Sequence, residues 1–372
     1  MDLTSQENHY PYTSWIEIDL NQIEENTRKI AEWVNTPLMA VVKDDGYGHG
    51  AIKVAEAFIK GGGHWLGVAR GHEGVDLREG GIKAPILVMG GILEEEAETA
   101  IENDLTLALH NYEMIDVLEK RAEAAGKTVN VHLKADTGMG RFGLLPEEML
   151  AFSRRVRDCK WIQIDGLFSH FSSAGDDEDL SNKQLKLFRE IVAVLEEDGL
   201  APKWKHISNS SAILANANAR FDLVRVGGIL YGLQFGGGKS ALLKKLKHAF
   251  SWKARLMSVK QMPKGWPVSY DAQYKCKQGE IIGVIPIGHG DGYERVPGNQ
   301  VLIGGKRVPV VGTICMDQIM VSLPEKNLVG SEVVVVGSQG GQKITPEELR
   351  NRWKSTYSGV FLVHPRIPRI YK

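Results

Sequence analysis

The sequence LMAVVKDDGYGHG, residues 38–50, joins an apolar run of β-strand character to a glycine-rich turn. In a doubly wound dinucleotide-binding fold, the first strand is followed by the pattern Gly-x-Gly-x-x-Gly, which this turn does not match. The segment therefore weighs against an open doubly wound sheet. It favours the other common architecture of alternating strands and helices, the (β/α)8 barrel.

Apolar runs of the same kind recur along the first two thirds of the chain. Together with residues 38–43, the predicted strands are 65–69, 86–89, 105–109, 129–134, 162–168, 204–208 and 223–226. Nearly continuous apolar runs are typical of parallel strands whose two faces are both covered. Segments with helical spacing lie between them, for example at 112–125 and 180–197. This alternation predicts an α/β fold with an N-terminal (β/α)8 TIM barrel over residues 16–246.

The pattern changes after residue 246, where helical periodicity stops. Apolar, β-branched runs follow at 254–259, 281–287, 301–303, 308–311 and 333–336. Gly304-Gly305 separates two of them as a hairpin turn would. A late helix near 345–352 is predicted by the capping pair Thr345 and Glu348. We expect a mostly antiparallel β-rich C-terminal domain over 247–372, which also takes in the N-terminal segment 1–15.

The composition excludes several classes of function. The 372 residues include 45 Lys and Arg against 46 Asp and Glu, so there is no basic excess that would neutralise a nucleic-acid backbone. The three cysteines are far apart, which predicts neither a disulfide framework nor a cysteine metal site, and no metal is expected. No secretory signal and no apolar run of membrane-spanning length is present, so we expect a cytoplasmic protein without a membrane partner.

Polar side chains cluster at the ends of the predicted barrel strands, where barrel enzymes build their active sites. These residues are Lys43, Lys134, Arg141, His170, His206, Ser210, Arg225 and Gly227. The charged members are cationic, so the rim suits an anionic ligand such as a phosphate or a carboxylate. Position alone leaves Lys43 open to two interpretations: a surface lysine at a strand end, or a lysine that forms a Schiff base.

Four sequence motifs resemble those of alanine racemases, in the same order along the chain. They are VVKDDGYGHG at 41–50, HLKADTGMGRFG at 132–143, VSY at 268–270 and CMDQ at 315–318. The similarity runs from WIEIDL at 15–20 to RIPR at 366–369. The resemblance implies pyridoxal 5′-phosphate as cofactor, an amino-acid substrate and a homodimer with composite active sites. It also implies interconversion of L- and D-alanine, with D-alanine supplied for peptidoglycan.

The resemblance implies a role for each matching residue. Lys43 would carry the cofactor as an aldimine and act as one of two bases, and Tyr270 from the partner subunit would be the other. Arg225 would face the pyridine nitrogen with His206 behind it, and His170 would lie against the ring. The phosphate would be held by Tyr47, Ser210, Gly227 and Tyr357. The substrate would be bound by Arg141, Met316 and Asp317, with Lys134 carbamylated to orient Arg141.

Two motifs depart from the usual family pattern and leave the substrate open. The chain has KDDGY at 43–47 where the family commonly has KANAY, and GHGDG at 288–292 where it commonly has GYADG. His289 would make the access to the site smaller and titratable near neutral pH. A racemase of the same fold acting on serine or a broader set of amino acids is therefore an alternative. A second alternative is a non-catalytic pyridoxal-phosphate-binding protein, although such proteins typically lack the domain that carries Tyr270.

Overall fold

A computed structural model describes residues 11–234, 240–355 and 363–372 of the chain. It divides the chain into two compact units. Leu20–His248 form the first, which we call the barrel unit, and the described residues before and after it form the second, the sheet unit. The first strand, β1 (Ser14–Ile18), straddles the predicted boundary at residue 16. It belongs to the sheet unit because it pairs with strands of that unit.

The described part of the barrel unit contains an eight-stranded parallel sheet. Its strands are β2 (Leu38–Val41), β3 (Trp65–Val68), β4 (Ile86–Val88), β5 (Thr106–Leu109), β6 (Val129–Lys134), β7 (Ile162–Phe168), β8 (Trp204–His206) and β9 (Val224–Val226). They lie in the order β8-β7-β6-β5-β4-β3-β2-β9. The Arg225 N–H, in β9, donates to the carbonyl of Ser208, which lies just after β8, at 3.1 Å, so the chain is bonded across the two ends of this sheet. The predicted barrel is confirmed.

Helices connect the strands of the barrel unit. They are α1 (Leu20–Val34), α2 (Lys43–Gly48), α3 (Ala51–Lys60), α4 (Gly71–Glu79), α5 (Glu94–Glu102), α6 (Glu113–Ala125), α7 (Met149–Arg157), α8 (Glu178–Glu197) and α9 (Ser210–Ala215). Of these, α2 is a single irregular turn, because its residues 44–47 are left-handed. The helix predicted at 180–197 begins two residues earlier because the Asp177 carboxylate caps it by accepting the Leu180 N–H. Its apolar stripe, Leu185, Phe188 and Ile191, is buried as predicted. No helix in the described ranges is long and apolar enough to cross a membrane.

A β-bulge interrupts the ladder between β6 and β7. Val131 pairs with Ile164, but His132 pairs with Gly166, so Asp165 is the extra residue. A bulge of this kind changes the direction of the side chain it carries. Gly166 is needed opposite His132 because a Cβ there would lie 2.6 Å from the imidazole ring.

The sheet unit is built from mostly antiparallel strands around one long sheet. The strands after β1 are β10 (Phe250–Arg255), β11 (Ser258–Gln261), β12 (Pro267–Val268), β13 (Tyr274–Lys275), β14 (Ile281–Ile285), β15 (Gln300–Ile303), β16 (Lys306–Val311), β17 (Ile319–Leu323), β18 (Glu332–Gln339), β19 (Gln342–Ile344) and β20 (Arg369–Tyr371). The main path is β11-β14-β17-β16-β15-β18-β10-β1-β20, in which only the β1–β20 pair is parallel among the described residues.

Two local predictions for this unit are confirmed. Gly304 and Gly305 join β15 to β16 with φ angles of 56° and 74°, as a two-residue hairpin of the primed type requires. The helix α10 (Pro346–Trp353) begins as predicted, and the Thr345 hydroxyl accepts the Glu348 N–H at 3.1 Å. The Glu348 carboxylate does not complete the capping box, since it binds Arg307 and Arg352 instead.

The single strand predicted at 254–259 is wrong. The chain leaves β10 after Arg255 and enters β11 at Ser258, so the run contains the end of one strand and the start of another. The Leu256 N–H bonds Ser331, whereas the Met257 N–H bonds Val284 in another part of the sheet. Here the chain passes from one set of strand neighbours to another, which apolar character alone does not reveal. Strands β1, β12, β13, β17, β19 and β20 were not predicted.

Candidate active site

The structure brings the predicted barrel residues to one rim, at the carboxyl ends of the parallel strands. Lys43 follows β2, and Lys134 ends β6. His170 comes just after β7, His206 ends β8, and Arg225 lies in β9. In a barrel this end carries the active site, because the loops after the strands converge there.

Arg225 is the centre of a buried hydrogen-bond network and is 2% exposed. One terminal nitrogen, Nη1, donates to His206 Nδ1 at 2.6 Å. The other, Nη2, donates to His170 Nδ1 at 3.1 Å and to the Ser169 carbonyl at 2.8 Å. No carboxylate of the described residues pairs with this guanidinium. Burial, together with the positive charge of Arg141, therefore lowers the pKa of Arg225 to about 9.

The two histidines that face Arg225 are held as neutral rings. Burial first, and then the charges of Arg225, Arg141, Lys134 and Lys43, lower the pKa of His170 to about 3. Burial, followed by the charge of Arg225, also puts the pKa of His206 well below its ordinary value. A guanidinium has only donors, so each ring nitrogen that faces it must accept a hydrogen bond. The orientation of the Arg225 guanidinium is thus fixed by neutral hydrogen-bond acceptors.

Tyr47, Ser210 and Gly227 meet at one point of the rim. The Gly227 N–H donates to Ser210 Oγ at 3.0 Å. A Cβ at position 227 would lie only 2.8 Å from the Tyr47 hydroxyl oxygen. Burial raises the pKa of Tyr47 to about 12, with a contribution from Asp44, so its phenol stays protonated. These groups form a cradle of neutral donors that suits an anion. Tyr357, predicted beside them, lies outside the described residues.

Lys134 is buried and its amine has an unusual pKa. Its Nζ donates to the Met89 carbonyl at 2.8 Å and lies about 5 Å from the ring centroids of Phe142 and Phe168. Burial first, and then the charges of Arg225 and Arg141, lower its pKa to about 7. A fraction of this amine is therefore neutral and nucleophilic near neutral pH.

Arg141 lies at the end of a loop that is held by one carboxylate. Asp136 accepts the backbone N–H groups of Gly138, Met139 and Gly140 at 2.8–3.2 Å. Although burial raises it, these hydrogen bonds bring the pKa of Asp136 below its usual value. The Arg141 side chain is exposed, and it remains available to a ligand at the rim.

Lys43 precedes a turn with an unusual backbone. Asp44, Asp45, Gly46 and Tyr47 have φ angles of 53°, 52°, 61° and 55°, so four successive residues are left-handed. Such a run is costly for residues other than glycine. The Lys43 Nζ lies 3.3 Å from Asp44 Oδ2.

Glu73, a residue that the sequence analysis missed, holds this turn. Its carboxylate accepts the N–H of Asp44 at 2.6 Å and those of Ala69 and Arg70 at 2.8 and 3.0 Å. It thereby ties the turn after β2 to the loop after β3. The usual signal, a Ser, Thr or Asp three residues before the glutamate, is missing because Arg70 occupies that position.

Tyr270 lies in the sheet unit, between β12 and β13, and is 64% exposed. The residues around it adopt left-handed conformations, with φ of 66° at Ser269, 61° at Asp271 and 47° at Ala272. The Thr313 hydroxyl donates to the Tyr270 carbonyl at 3.1 Å, which fixes the backbone. The Tyr270 phenol is therefore exposed on a turn whose backbone is fixed by a hydrogen bond.

Met316 and Asp317 lie in the sheet unit as well, and Arg366 organises their surroundings. Arg366 donates to Asp317 Oδ1 at 2.8 Å and to the buried Asp291 at 2.7 Å. The Gly290 N–H donates to the Met316 carbonyl at 2.9 Å, and the Met316 side chain is 59% exposed. The sequence analysis assigned no role to Arg366 or Asp291, although Arg366 opens the RIPR segment that it quoted.

Comparison with known proteins covers both units. The family model described as alanine racemase, N-terminal domain, matches residues 18–235, and the model described as alanine racemase, C-terminal domain, matches residues 249–371. The chain is similar to alanine racemase from Symbiobacterium thermophilum, with 40% identity, covering 96% of this chain and 97% of that one. Alanine racemase from Methanococcus maripaludis is 39% identical, with coverage of 96% and 98%.

Solved structures give the same picture. The crystal structure of alanine racemase from E. faecalis superposes with a TM-score of 0.92 at 34% identity, covering 98% of this chain and 99% of that one. An alanine racemase from Bacillus anthracis with bound L-Ala-P superposes with a TM-score of 0.90 at 32% identity, with coverage of 98% and 96%.

Proposed function

The chain belongs to the alanine racemase family, and we propose that it interconverts L-alanine and D-alanine with pyridoxal 5′-phosphate as its cofactor. The buried Arg225 network, which ends at a rim carrying Lys43, is the observation that carries this proposal. The D-alanine would serve peptidoglycan synthesis. The cysteines Cys159, Cys276 and Cys315 are free, which is consistent with a reducing compartment, and we place the reaction in the cytoplasm.

The residues at the rim fit this cofactor. Arg225 Nε is the guanidinium nitrogen that has no hydrogen-bond partner among the described residues, so it can donate to a pyridine nitrogen. The Gly227 and Ser210 groups beside Tyr47 suit a phosphate, and the space over Gly227 would be filled by any side chain there. Lys43 would hold the cofactor through its ε-amino group. Bound pyridoxal phosphate would supply the electron sink that makes the substrate Cα–H acidic enough to break.

Two proton carriers on opposite faces of the substrate suit a racemase. The Lys43 amine would exchange a proton at Cα on one face, and the Tyr270 phenol would do so on the other. Arg141 would bind the substrate carboxylate, with Lys134 carbamylated to orient it. Met316 and Asp317 would line the substrate side. Arg225, held by His206 and His170, stays a donor and would leave the pyridine nitrogen unprotonated.

The first test is a visible absorption spectrum of the purified protein, followed by D/L analysis after incubation with L-alanine. We expect cofactor absorbance and equal amounts of the two isomers. Tyr270→Phe should keep the absorbance and lose racemisation, whereas Tyr12→Phe, at another exposed tyrosine of the sheet unit, should behave like the wild type. Absorbance without racemisation in the wild type would favour the non-catalytic alternative. Turnover of serine and lysine measured beside that of alanine decides the substrate breadth.

We further propose that the working unit is a homodimer in which Tyr270 completes the site of the partner subunit. The test mixes two inactive variants, Lys43→Ala and Tyr270→Phe, under conditions that exchange subunits. If each site combines residues of two chains, mixed dimers contain one intact site, and about one quarter of the wild-type activity returns. If both residues act within one chain, no mixture regains activity.

A further inference from the structure

A second buried feature continues behind Arg225, away from the rim. His206 Nε2 lies 2.9 Å from His132 Nδ1, and both rings are completely buried. The other nitrogen of His132, Nε2, lies 3.9 Å from Asp165 Oδ2. Arg225, His206, His132 and Asp165 thus form a line of polar groups through the barrel interior. We call this line the histidine relay.

The contacts in the histidine relay fix which atoms carry protons. Arg225 Nη1 can only donate, so His206 Nδ1 accepts. His206 is neutral, and its proton is therefore on Nε2, which donates to His132 Nδ1. His132 is also neutral, since burial lowers its pKa. Its proton must then be on Nε2, the nitrogen that faces Asp165.

The Nε2 atom of His132 is buried and has no hydrogen-bond partner at normal distance in the described residues. A buried donor without an acceptor is costly, so an acceptor just beyond hydrogen-bond distance is significant. That acceptor is the carboxylate of Asp165, whose side chain is 25% exposed. The bulge in β7 makes Asp165 the extra residue of the strand, and Gly166 leaves room for the imidazole.

We propose that Asp165 is a positioning residue for the racemase site: its carboxylate accepts a hydrogen bond from His132 Nε2–H and so orients Arg225 through the two histidines. This inference rests on the proposed function in one respect, namely that Arg225 faces the cofactor. The direct contacts of Arg225 are neutral, so Asp165 is the anion to which the line of donors leads. A carboxylate at the end of such a line strengthens each hydrogen bond before it.

Ring N–H resonances of a 15N-histidine-labelled, cofactor-free chain test the contact. We expect a strongly deshielded His132 Nε2–H signal in the wild type. It should move upfield in Asp165→Asn, where the acceptor is neutral, and further in Asp165→Leu, where it is gone. The His206 Nε2–H signal should follow in the same direction. Gln163→Ala, an exposed position on the same strand, is the control and should leave both signals in place.

The loaded enzyme gives the second readout. We expect Asp165→Asn to lower kcat about tenfold while KM for alanine and the cofactor absorbance stay unchanged, because a displaced Arg225 affects the reacting complex. Ring signals that are unchanged in both variants would overturn the contact. Ring signals that move while kcat stays at the wild-type value would overturn the positioning role. A wild-type chain that binds no pyridoxal phosphate would refute the proposed function alone, since the ring signals do not need the cofactor.

Discussion

At the scale of single residues, the barrel rim shows how neutral neighbours control a cation. Arg225 is surrounded by two imidazoles and by carbonyl groups, and burial together with its charge keeps His170 and His206 neutral. The sequence identified these residues because polar side chains at strand ends are conspicuous in apolar runs. It could not reveal which atoms meet. Those contacts depend on strands that are far apart in the chain, such as β7 and β9.

Lys134 gives a prediction with a defined pH dependence. Its amine has a pKa of about 7, so above that pH it is mainly neutral and can add CO2, whereas below it the protonated amine cannot. With 13C-bicarbonate we expect a carbamate carbon signal at pH 8 that declines as the pH falls through 7. Lys134→Gln should abolish the signal, and Lys160→Gln should not. A signal of equal size at pH 6 would contradict the pKa assignment.

Gly227 gives a prediction about space. In Gly227→Ala the new methyl group would lie 2.8 Å from the Tyr47 hydroxyl oxygen, so one of the two must move. We expect affinity for pyridoxal phosphate to fall about tenfold or more, measured by absorbance titration. Gly71→Ala is a suitable control. The atom nearest to its new methyl group would be at the carboxylate end of the Glu96 side chain. Equal affinity in the two variants would argue against a phosphate at this position.

At the scale of elements, the structure shows which parts of the fold a sequence pattern predicts. Strands β2 to β9 were found because buried parallel strands are short apolar runs. The prediction of one strand at 254–259 was wrong because a strand ends where its hydrogen-bond partners change. Here β10 and β11 have different partners. The left-handed turn after Lys43 was not predicted for a similar reason. The hydrogen bond that stabilises it comes from Glu73, which lies in another helix.

The bulge between β6 and β7 gives the prediction at this scale. Gly166→Ala would place a methyl group 2.6 Å from the buried His132 ring. Because neither the strand nor the ring can move freely, we expect the free energy of unfolding to fall by about 1–3 kcal/mol. Denaturant titration measures the change, with Gly71→Ala as the reference. If Gly166→Ala were as stable as the reference, β7 would be able to move away from β6 with little loss of stability.

At the scale of the whole molecule, we expect the two units to contribute different residues to catalysis. The barrel unit carries Lys43 and the Arg225 network, and the sheet unit carries Tyr270, Met316 and Asp317. The barrel could be predicted from the regular recurrence of strands and helices. The partners of β1 could not, because its neighbours β10 and β20 follow it in the chain only after the whole barrel unit.

A variant at Arg366 tests this division between the two units. Arg366→Met removes the bonds to Asp291 and Asp317, so the segment that carries Met316 loses one of its anchors. We expect kcat/KM for alanine to fall about 10- to 100-fold, while pyridoxal phosphate binds as in the wild type. Arg295→Met, at an exposed position of the same unit, should leave both quantities unchanged. Loss of cofactor binding in Arg366→Met would contradict this division.

The pairing of β1 with β10 and β20 also bears on how a ribosome delivers this protein. The strand Ser14–Ile18 is synthesised before its partners, so it has no ladder to join until Phe250–Arg255 and then Arg369–Tyr371 follow. The barrel strands, by contrast, lie between β1 and β10 in the chain and have all their neighbours before either partner of β1 is synthesised. The nascent chain must therefore carry β1 unpaired while the whole barrel unit is synthesised, a state in which chaperone contact and protease attack have their best opportunity.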